Sequence, residues 1–224
     1  MFIKPEDYSP SYYNFQNYNT KHRMITYWHQ IDSILQNKPK TVLEIGLGTG
    51  LVSSYLRSVG VEVTTLDINP KLKPDYVGSV LDLDVIISDK KFDLVLCARV
   101  LHHLPYNSFS KAIEQISLIS KKDAIVTLPV DDFRFYIMSR YTSSKIRTLS
   151  IPIPIFIKRG IVDFLSKNNP KEGSKFISGL WKINDKNKVS FSDIKLTVEK
   201  HWKIVSDYKI PEDSSHYLLK LTKK

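Results

Sequence analysis

The sequence contains very little cysteine and no long apolar run. The single cysteine, Cys97, excludes an internal disulfide and a cysteine-rich metal site. No stretch approaches the roughly 20 consecutive apolar residues that a membrane-spanning helix needs. The first ten residues include Glu6 and Asp7 and lack the apolar core of a secretion signal. We therefore expect a cytoplasmic protein.

Charge is distributed unevenly along the chain. Residues 1–110 hold 11 basic and 11 acidic residues, whereas residues 111–224 hold 22 and 12 and so carry the whole net charge of +10. A basic half is typical of proteins that contact nucleic acid, an anionic membrane surface or an acidic substrate. Because the lysines are scattered rather than clustered, a solvated basic surface remains an equal alternative.

Short apolar runs alternate with helical patterns through the middle of the chain. This alternation predicts an α/β fold, in which a mostly parallel sheet is covered by helices on both faces. The predicted strands are residues 41–45, 61–67, 76–77, 92–97 and 123–128, and the predicted helices between them are residues 49–59 and 107–119.

Four regions follow from this pattern. Residues 1–39 form an extended arm and a helix that begins after Thr20, with apolar residues at helical spacing from Met24 to Leu35. Residues 40–129 form the core of this parallel sheet and its covering helices. Residues 130–188 form an inserted cap at the ligand edge of the sheet, with a buried Ile-Pro segment at 151–157 favoured over a membrane contact. Residues 189–224 add a helix and an antiparallel hairpin of strands 202–210 and 216–222, which completes a seven-stranded sheet.

A glycine-rich turn joins the first predicted strand to the next helix. The segment Gly46-Leu47-Gly48-Thr49-Gly50 lets the backbone turn sharply and approach a ligand closely. Asp67 ends the next strand at the spacing expected of a carboxylate that binds ribose hydroxyls. Leu51 replaces the last glycine of a dinucleotide fingerprint, and no lysine follows Gly50 as in a phosphate loop. What remains is an acidic residue, Glu44, two positions before the glycine run.

These residues resemble the first motif of class I S-adenosylmethionine-dependent methyltransferases. The resemblance continues through Gly78-Ser79-Val80-Leu81, where the family contacts adenine and usually has an acidic residue in place of Ser79. It also includes FDLVLCARVLHHLP at residues 92–105. The resemblance implies S-adenosyl-L-methionine as cofactor and a Rossmann-like fold. The residues assigned to the cofactor are Arg23, Tyr27, Gln30, Glu44, Gly46, Leu47, Gly48, Gly50, Asp67, Ile68, Ser79, Val80, Leu81 and Cys97.

A second element is similar to a group of methyltransferases from surface-glycan and uncharacterised gene clusters. Its R-x-x-x-Y-W-x-Q pattern is matched by Arg23, Tyr27, Trp28 and Gln30. In a helix Arg23, Tyr27 and Gln30 share one face, so they could hold the methionine carboxylate or cover its pocket. A polar surface stripe beside a buried Trp28 is the alternative. The group's H-x-W-E-I segment is replaced at residues 179–183 by GLWKI.

The candidates for chemistry follow the fourth predicted strand. His102 and His103 lie at the carboxyl edge of the sheet, where a histidine can take a proton from an acceptor held under the cap. We expect at most one of them to face the acceptor, and a purely structural role for both is the alternative. Arg99 pairs either with an anionic acceptor group or with Glu44 or Asp67. No residues have the spacing of a metal site.

The sequence thus predicts methyl transfer to an oxygen or nitrogen of a small molecule, such as a sugar or a lipid-linked glycan. An RNA methyltransferase is a less favoured alternative, because position 97–100 reads CARV rather than an N-P-P-Y-like signature. A non-catalytic cofactor-binding or scaffold protein of the same fold is the third. Peripheral membrane contact remains an alternative for the basic half.

Overall fold

The computed structural model describes residues 9–13, 18–131, 134–142, 145–152, 179–184 and 189–224. The strands are β1 (Thr41–Ile45), β2 (Glu62–Asp67), β3 (Tyr76–Val77), β4 (Phe92–Ala98), β5 (Ser120–Pro129), β6 (Arg134–Thr142), β7 (Lys145–Pro152), β8 (Trp202–Ile210) and β9 (Asp213–Lys223). The α-helices are α1 (Lys21–Gln36), α2 (Leu51–Ser58), α3 (Leu83–Ile86), α4 (Phe109–Ile119) and α5 (Phe191–Val198). Within these residues no helix is long and apolar enough to cross a membrane.

Seven strands form one sheet in the order β3-β2-β1-β4-β5-β9-β8. Strands β1 to β5 pair in parallel, whereas β9 runs antiparallel to both β5 and β8. The prediction of a Rossmann-like, mostly parallel sheet with a C-terminal antiparallel hairpin is therefore confirmed. The order reverses between β1 and β4, which places a crevice at the carboxyl ends of these two strands.

Helices cover both faces of this sheet. On one face Ile34 of α1 and Leu56 of α2 pack on the central strands. On the other face Phe109 and Ile113 of α4 pack in a larger cluster that contains Trp202. The central strands are buried on both sides, which explains their near-continuous apolar sequence. This rigid layer fixes the loops that follow β1, β2 and β4.

Helix α1 begins as predicted but turns a different face inward. Thr20 caps it by accepting a hydrogen bond from the Arg23 amide at 3.4 Å. Met24 and Trp28, expected on the buried face, are 40% and 61% exposed. The buried residues of α1 are instead mostly polar, namely Arg23, Thr26, Gln30, Ser33 and Ile34. Before it, Pro10–Tyr13 is a 3-10 turn rather than an extended arm.

The predicted cap contains a β-hairpin that the sequence did not reveal. Strands β6 and β7 pair antiparallel as a separate two-stranded sheet, with Ile137 opposite Leu149. Both side chains are exposed, and so is Ile151, which was expected to be buried. A two-stranded sheet buries little surface, so it does not need one apolar face. The sequence therefore lacks the apolar–polar alternation from which strands are predicted. Phe133 and the predicted segment beyond Pro152 lie outside the described residues.

Residues 179–184 pack against the core. Trp181 is buried, and its indole nitrogen donates to the carbonyl of Leu104 at 2.9 Å. Ile183 bridges to Val130 at the end of β5. Gly179 packs so closely on His102 that a Cβ there would lie 2.0 Å from the ring. This segment therefore closes one side of the region beyond β4 and β5.

Candidate active site

A cavity of about 330 Å³ lies at the point where the strand order reverses. We name it the first cavity. Its walls come from the loops after β1, β2 and β4, from the turn after β3 and from α1. The lining residues are Tyr13, Tyr18, Arg23, Tyr27, Gln30, Glu44, Ile45, Gly46, Leu47, Gly48, Thr49, Leu51, Val52, Leu66, Asp67, Ile68, Gly78, Ser79, Val80, Ala98, Arg99, Val100, His103 and Leu104.

The glycine loop forms the floor of the first cavity. Gly46, Gly48 and Gly50 all have positive φ angles, a region that side chains with a Cβ rarely occupy. At Gly46 a Cβ would also lie 2.3 Å from Cγ2 of Val100 on the neighbouring loop. The loop can therefore lie this close to the β4 loop only because glycine stands at position 46.

Asp67 holds the glycine loop and faces the cavity. Its Oδ2 accepts a hydrogen bond from the Leu47 amide at 2.8 Å, and its Oδ1 accepts one from the Asn69 amide at 2.8 Å. Burial raises the pKa of this carboxyl, and the backbone donors oppose that rise. An ionised carboxylate offers about four acceptor positions, so lone pairs remain for two neighbouring hydroxyls of a ligand.

Glu44 is a buried acid with an unsatisfied oxygen. The residue is 4% exposed, and its Oε2 has no hydrogen-bond partner among the described residues. Burial raises its pKa to about 7, while hydrogen bonding to Ser53 limits the rise. A buried carboxyl in this state is stabilised in its ionised form by a nearby positive charge. The first cavity therefore suits a cationic ligand.

The polar face of α1 completes the first cavity, together with two tyrosines of the arm. Tyr27 accepts a hydrogen bond from Thr49 at 3.4 Å, and burial raises its pKa to about 12. The Arg23 guanidinium lies 3.6 Å from the ring centre of Tyr18. Tyr13 and Tyr18 were not predicted, although the tyrosine-rich arm was the available signal. The alternative of a polar surface stripe is wrong, because Arg23, Tyr27 and Gln30 line the cavity.

A second cavity of about 350 Å³ adjoins the first. Tyr18, Arg23, Arg99 and His103 line both, so they form the boundary between the two. The second cavity is lined by Tyr12, Tyr18, Arg23, Arg99, His102, His103, Pro129, Val130, Gly179, Lys182, Ser215 and His216.

Both candidate histidines line the second cavity. Their rings lie side by side with centroids 4.1 Å apart. That at most one of them faces the acceptor stays a prediction. Burial lowers the pKa of His102 well below its usual range. Burial and the charge of Arg99 lower the pKa of His103 to about 4. Each Nδ1 is buried without a hydrogen-bond partner among the described residues.

Arg99 occupies an uncommon backbone conformation at the end of β4. Its φ is 60°, and its amide donates to the Thr127 hydroxyl at 3.0 Å. Burial and the charge of nearby Arg23 lower the pKa of its guanidinium to about 10, so it stays protonated at neutral pH. Within the described part of the chain no ion pair joins Arg99 to Glu44 or Asp67, which were its predicted alternatives.

Three residues assigned to the cofactor do not line the first cavity. Gly50 caps the start of α2, and Leu81 packs against the core. Cys97 is fully buried within β4, and burial raises the pKa of its thiol. Ser79 does line the cavity, but its hydroxyl accepts a hydrogen bond from the Leu81 amide at 3.1 Å. The described residues contain no cluster of His, Cys, Asp and Glu that could hold a metal ion.

Comparison with known proteins identifies the family. A family model described as a methyltransferase domain matches residues 18–150, which is more than half of the chain. The chain belongs to this methyltransferase family. The matched residues include the glycine loop, Asp67 and both histidines. A search of curated proteins found no match.

Solved structures confirm the fold. The magnesium protoporphyrin IX methyltransferase of Synechocystis PCC 6803 with bound SAH is 13% identical, with 91% of this chain and 84% of that chain covered and a TM-score of 0.57. The N-methyltransferase NodS of Bradyrhizobium japonicum WM9, also with SAH, is 11% identical, with 93% and 91% covered and a TM-score of 0.57. The PH0226 protein of Pyrococcus horikoshii OT3 is 13% identical, with 97% and 100% covered and a TM-score of 0.58.

The prediction of a class I methyltransferase that uses S-adenosyl-L-methionine is thereby confirmed at the level of family and fold. Which residues contact the cofactor and which acceptor is methylated are separate questions, because identities this low show the fold alone.

Proposed function

We propose that this chain transfers a methyl group from S-adenosyl-L-methionine to an oxygen or nitrogen of a small molecule. The observation that carries the proposal is the pair of adjoining cavities, which share a boundary at His103, Arg99, Arg23 and Tyr18. The first cavity is the donor site and the second is the acceptor site. A donor and an acceptor bound on either side of one boundary meet in a fixed orientation, which supplies much of the rate of a displacement.

The residues of the first cavity suit the donor. Asp67 has lone pairs left for the two ribose hydroxyls, and the glycine loop leaves space for close approach. The unsatisfied oxygen of Glu44 suits a ligand that carries a sulfonium and an ammonium group. Gln30, which lines only the first cavity, supplies amide donors for the carboxylate of the cofactor. These four features match the chemical groups of S-adenosyl-L-methionine.

The size of the second cavity supports a small-molecule acceptor. About 350 Å³ lies within the range of small-molecule sites, and its walls come from five separate segments of the chain. A sugar or the terminal unit of a lipid-linked glycan is the acceptor that we favour within this class, as the group resemblance implies. The cytoplasmic location stays a prediction.

His103 is the residue that we assign to receive the acceptor's proton. S-adenosyl-L-methionine, when bound, supplies an electrophilic methyl group, and the sulfur of the cofactor keeps the electron pair of the broken C–S bond. The acceptor lone pair forms the new C–O or C–N bond, and the acceptor proton passes to the unprotonated ring nitrogen of His103 or to water. With a pKa of about 4, His103 is neutral at physiological pH and has a lone pair to accept that proton.

Cofactor titration tests the donor site. We expect wild-type protein to bind S-adenosylhomocysteine in isothermal calorimetry, and Asp67→Ala to weaken binding at least tenfold. Asp89→Ala, which removes an exposed carboxylate outside the cavity, is the matched control. Absence of binding by wild-type protein at high micromolar concentration contradicts the proposal.

Methyl transfer is tested with labelled S-adenosyl-L-methionine and fractionated cell extract. We expect label in a small-molecule fraction and none in RNA. Label in RNA that is lost with rising salt supports the nucleic-acid alternative instead. Cofactor binding with no transfer to any fraction supports a non-catalytic protein.

A further inference from the structure

The two cavities differ in the charges that line them. The first cavity contains the carboxyls of Glu44 and Asp67. The described lining of the second cavity contains arginine, lysine and histidine but no carboxylate. The proposed donor carries positive charge, so the acid-lined first cavity already has a ligand of opposite charge. The basic second cavity still lacks a ligand of opposite charge.

We propose that the acceptor carries an anionic group, a carboxylate or a phosphate, which binds Arg99 and Arg23 in the second cavity. This inference rests on the proposed function, since it assigns the second cavity to the acceptor. The anionic group acts as the anchor, and a different oxygen or nitrogen of the same molecule faces His103 and the donor site.

Arg99 is the main anchor. Arg99 is partly buried and lines both cavities, and no hydrogen bond or ion pair to its guanidinium is present among the described residues. A partly buried cation that faces a cavity without a paired anion favours an anionic ligand there. The guanidinium presents parallel N–H donors that match two oxygens of a carboxylate or phosphate.

Arg23 strengthens this reasoning because it places a second cation, itself buried, at the boundary that Arg99 lines. Arg23 is 6% exposed, lies over Tyr18 and lines both cavities. Like charges at one boundary repel each other, and after burial the charge of Arg23 is the next cause of the lowered pKa of Arg99. An anion bound between them would convert that repulsion into two attractions.

Asp213, the acidic residue whose charge acts on Arg99, already has other partners. Asp213 contacts the Ser215 hydroxyl and lies 3.3 Å from Nδ1 of His216. Burial alone would raise its pKa, but hydrogen bonds with His216 and Ser215 hold the pKa below its usual range. Asp213 does not line the second cavity. It therefore acts on Arg99 through its negative charge and not as an ion-pair partner.

The backbone of Arg99 is a second, independent sign of a specific role. A non-glycine residue with φ near 60° is uncommon and costs free energy, and such strain concentrates at functional sites. The two hydrogen bonds from its amide to the oxygens of Thr127, at 3.0 and 3.3 Å, maintain this conformation. The fold therefore holds the side chain at the boundary of the two cavities.

Matched pairs of small probes test the inference. Protein saturated with S-adenosylhomocysteine is titrated with benzoate and benzamide, and separately with phenyl phosphate and phenol, by ligand-observed NMR. We expect the charged member of at least one pair to bind at least tenfold more tightly than its neutral partner. The pair that shows the preference distinguishes a carboxylate anchor from a phosphate anchor.

Substitution of Arg99 assigns the preference to this residue. Arg99→Asn removes the charge while keeping a residue that tolerates a positive φ, so loss of folding is not expected. We expect it to abolish the preference and Arg99→Lys to retain part of it. Lys203→Gln removes an exposed charge on β8, outside both cavities, and is the matched control. Thermal unfolding of all three variants reports on folding.

The outcomes separate the two levels of inference. Failure of wild-type protein to bind S-adenosylhomocysteine contradicts the proposed function. Normal binding of S-adenosylhomocysteine with no preference for the charged probe in either pair contradicts only the anionic acceptor. A preference that survives in Arg99→Asn also overturns the assignment.

Discussion

Replacement of Glu44 by glutamine should stabilise the free protein and weaken its affinity for the cofactor. Glu44 is buried and carries an unpartnered oxygen, and burial raises its pKa from 4.5 to about 7. A tenfold change in an acid dissociation constant corresponds to about 1.4 kcal/mol, so keeping this carboxyl ionised costs the fold roughly 3 kcal/mol well above pH 7. Glutamine removes that cost but adds an amide that also needs a partner. We therefore expect a gain in unfolding free energy of about 2 kcal/mol.

The gain should depend on pH with a definite sign. A carboxyl whose pKa is raised by folding contributes full stability below its unfolded value, and this is lost as pH rises through about 7. Glu44→Gln should therefore raise the melting temperature by roughly 4–8 °C at pH 8.5 and lower it by roughly 2–4 °C at pH 4.5, where only the cost of the amide, about 1 kcal/mol, remains. Glu62→Gln, an exposed carboxyl on the neighbouring strand, is the control and should show neither effect.

The same substitution should weaken binding of S-adenosyl-L-methionine at least tenfold, measured by calorimetry at pH 7.5. A cationic ligand stabilises ionised Glu44, so the affinity of wild-type protein should rise with pH through about 7, whereas that of the variant should not. A change in melting temperature that is the same at pH 8.5 and pH 4.5 would refute the reasoning on Glu44. Equal cofactor affinity in both proteins would refute its placement at the donor.

Three further substitutions test the remaining features. Asp67→Asn should reduce cofactor affinity by about 2 kcal/mol in calorimetry, because it weakens charged hydrogen bonds; an unchanged affinity would exclude a ribose contact. Gly46→Ala should lower the melting temperature more than Gly60→Ala, because both glycines have φ near 90° but only Gly46 would place a Cβ against Val100; equal losses would remove the steric argument. His103→Gln should lower kcat about 100-fold with little change in KM for the cofactor, in a labelled-methyl assay; an unchanged kcat would exclude a base at this position.

The sheet was predictable because its central strands are buried on both faces. Strands β1 and β4 show nearly continuous apolar sequence, which only a covered parallel strand requires. The β6–β7 hairpin has no such requirement, since it forms a separate two-stranded sheet. Its exposed Ile137 and Leu149 give no alternation that distinguishes a strand from a loop. Apolar patterns in a sequence indicate which residues are buried. Elements that bury little surface are therefore not predicted from these patterns.

Helix α1 shows a different limit. Periodicity correctly located the helix but assigned its apolar stripe to the interior, whereas Trp28 is exposed and Gln30 is buried. The usual rule fails because α1 packs partly over a cavity that needs polar groups, not only over an apolar sheet. The matched R-x-x-x-Y-W-x-Q pattern identified the correct inward face. A motif can therefore override periodicity where a helix borders a ligand site.

The first cavity was largely predictable, but the second was not. The glycine loop and Asp67 lie at a fixed spacing that follows from one strand, one turn and the next strand. The second cavity is assembled from residues near Tyr12, Arg99, Val130, Lys182 and His216, which only the folded chain brings together. No motif within a short stretch of sequence predicts a cavity built from such distant residues. The proposal of an anionic acceptor therefore rests on the folded structure rather than on a sequence pattern.

The net charge of the chain would have given a misleading account of this site. The excess of basic residues lies entirely within residues 111–224, yet both boundary arginines, Arg23 and Arg99, come from the neutral first half. Exposed lysines are screened by salt within about 10 Å, whereas guanidinium groups that are buried or partly buried act through a medium of lower dielectric constant. If the proposal of an anionic acceptor is correct, these two charges should outweigh the scattered surface lysines in selecting it. On this basis, binding of an anionic acceptor should depend only weakly on ionic strength, unlike binding of RNA to the basic surface.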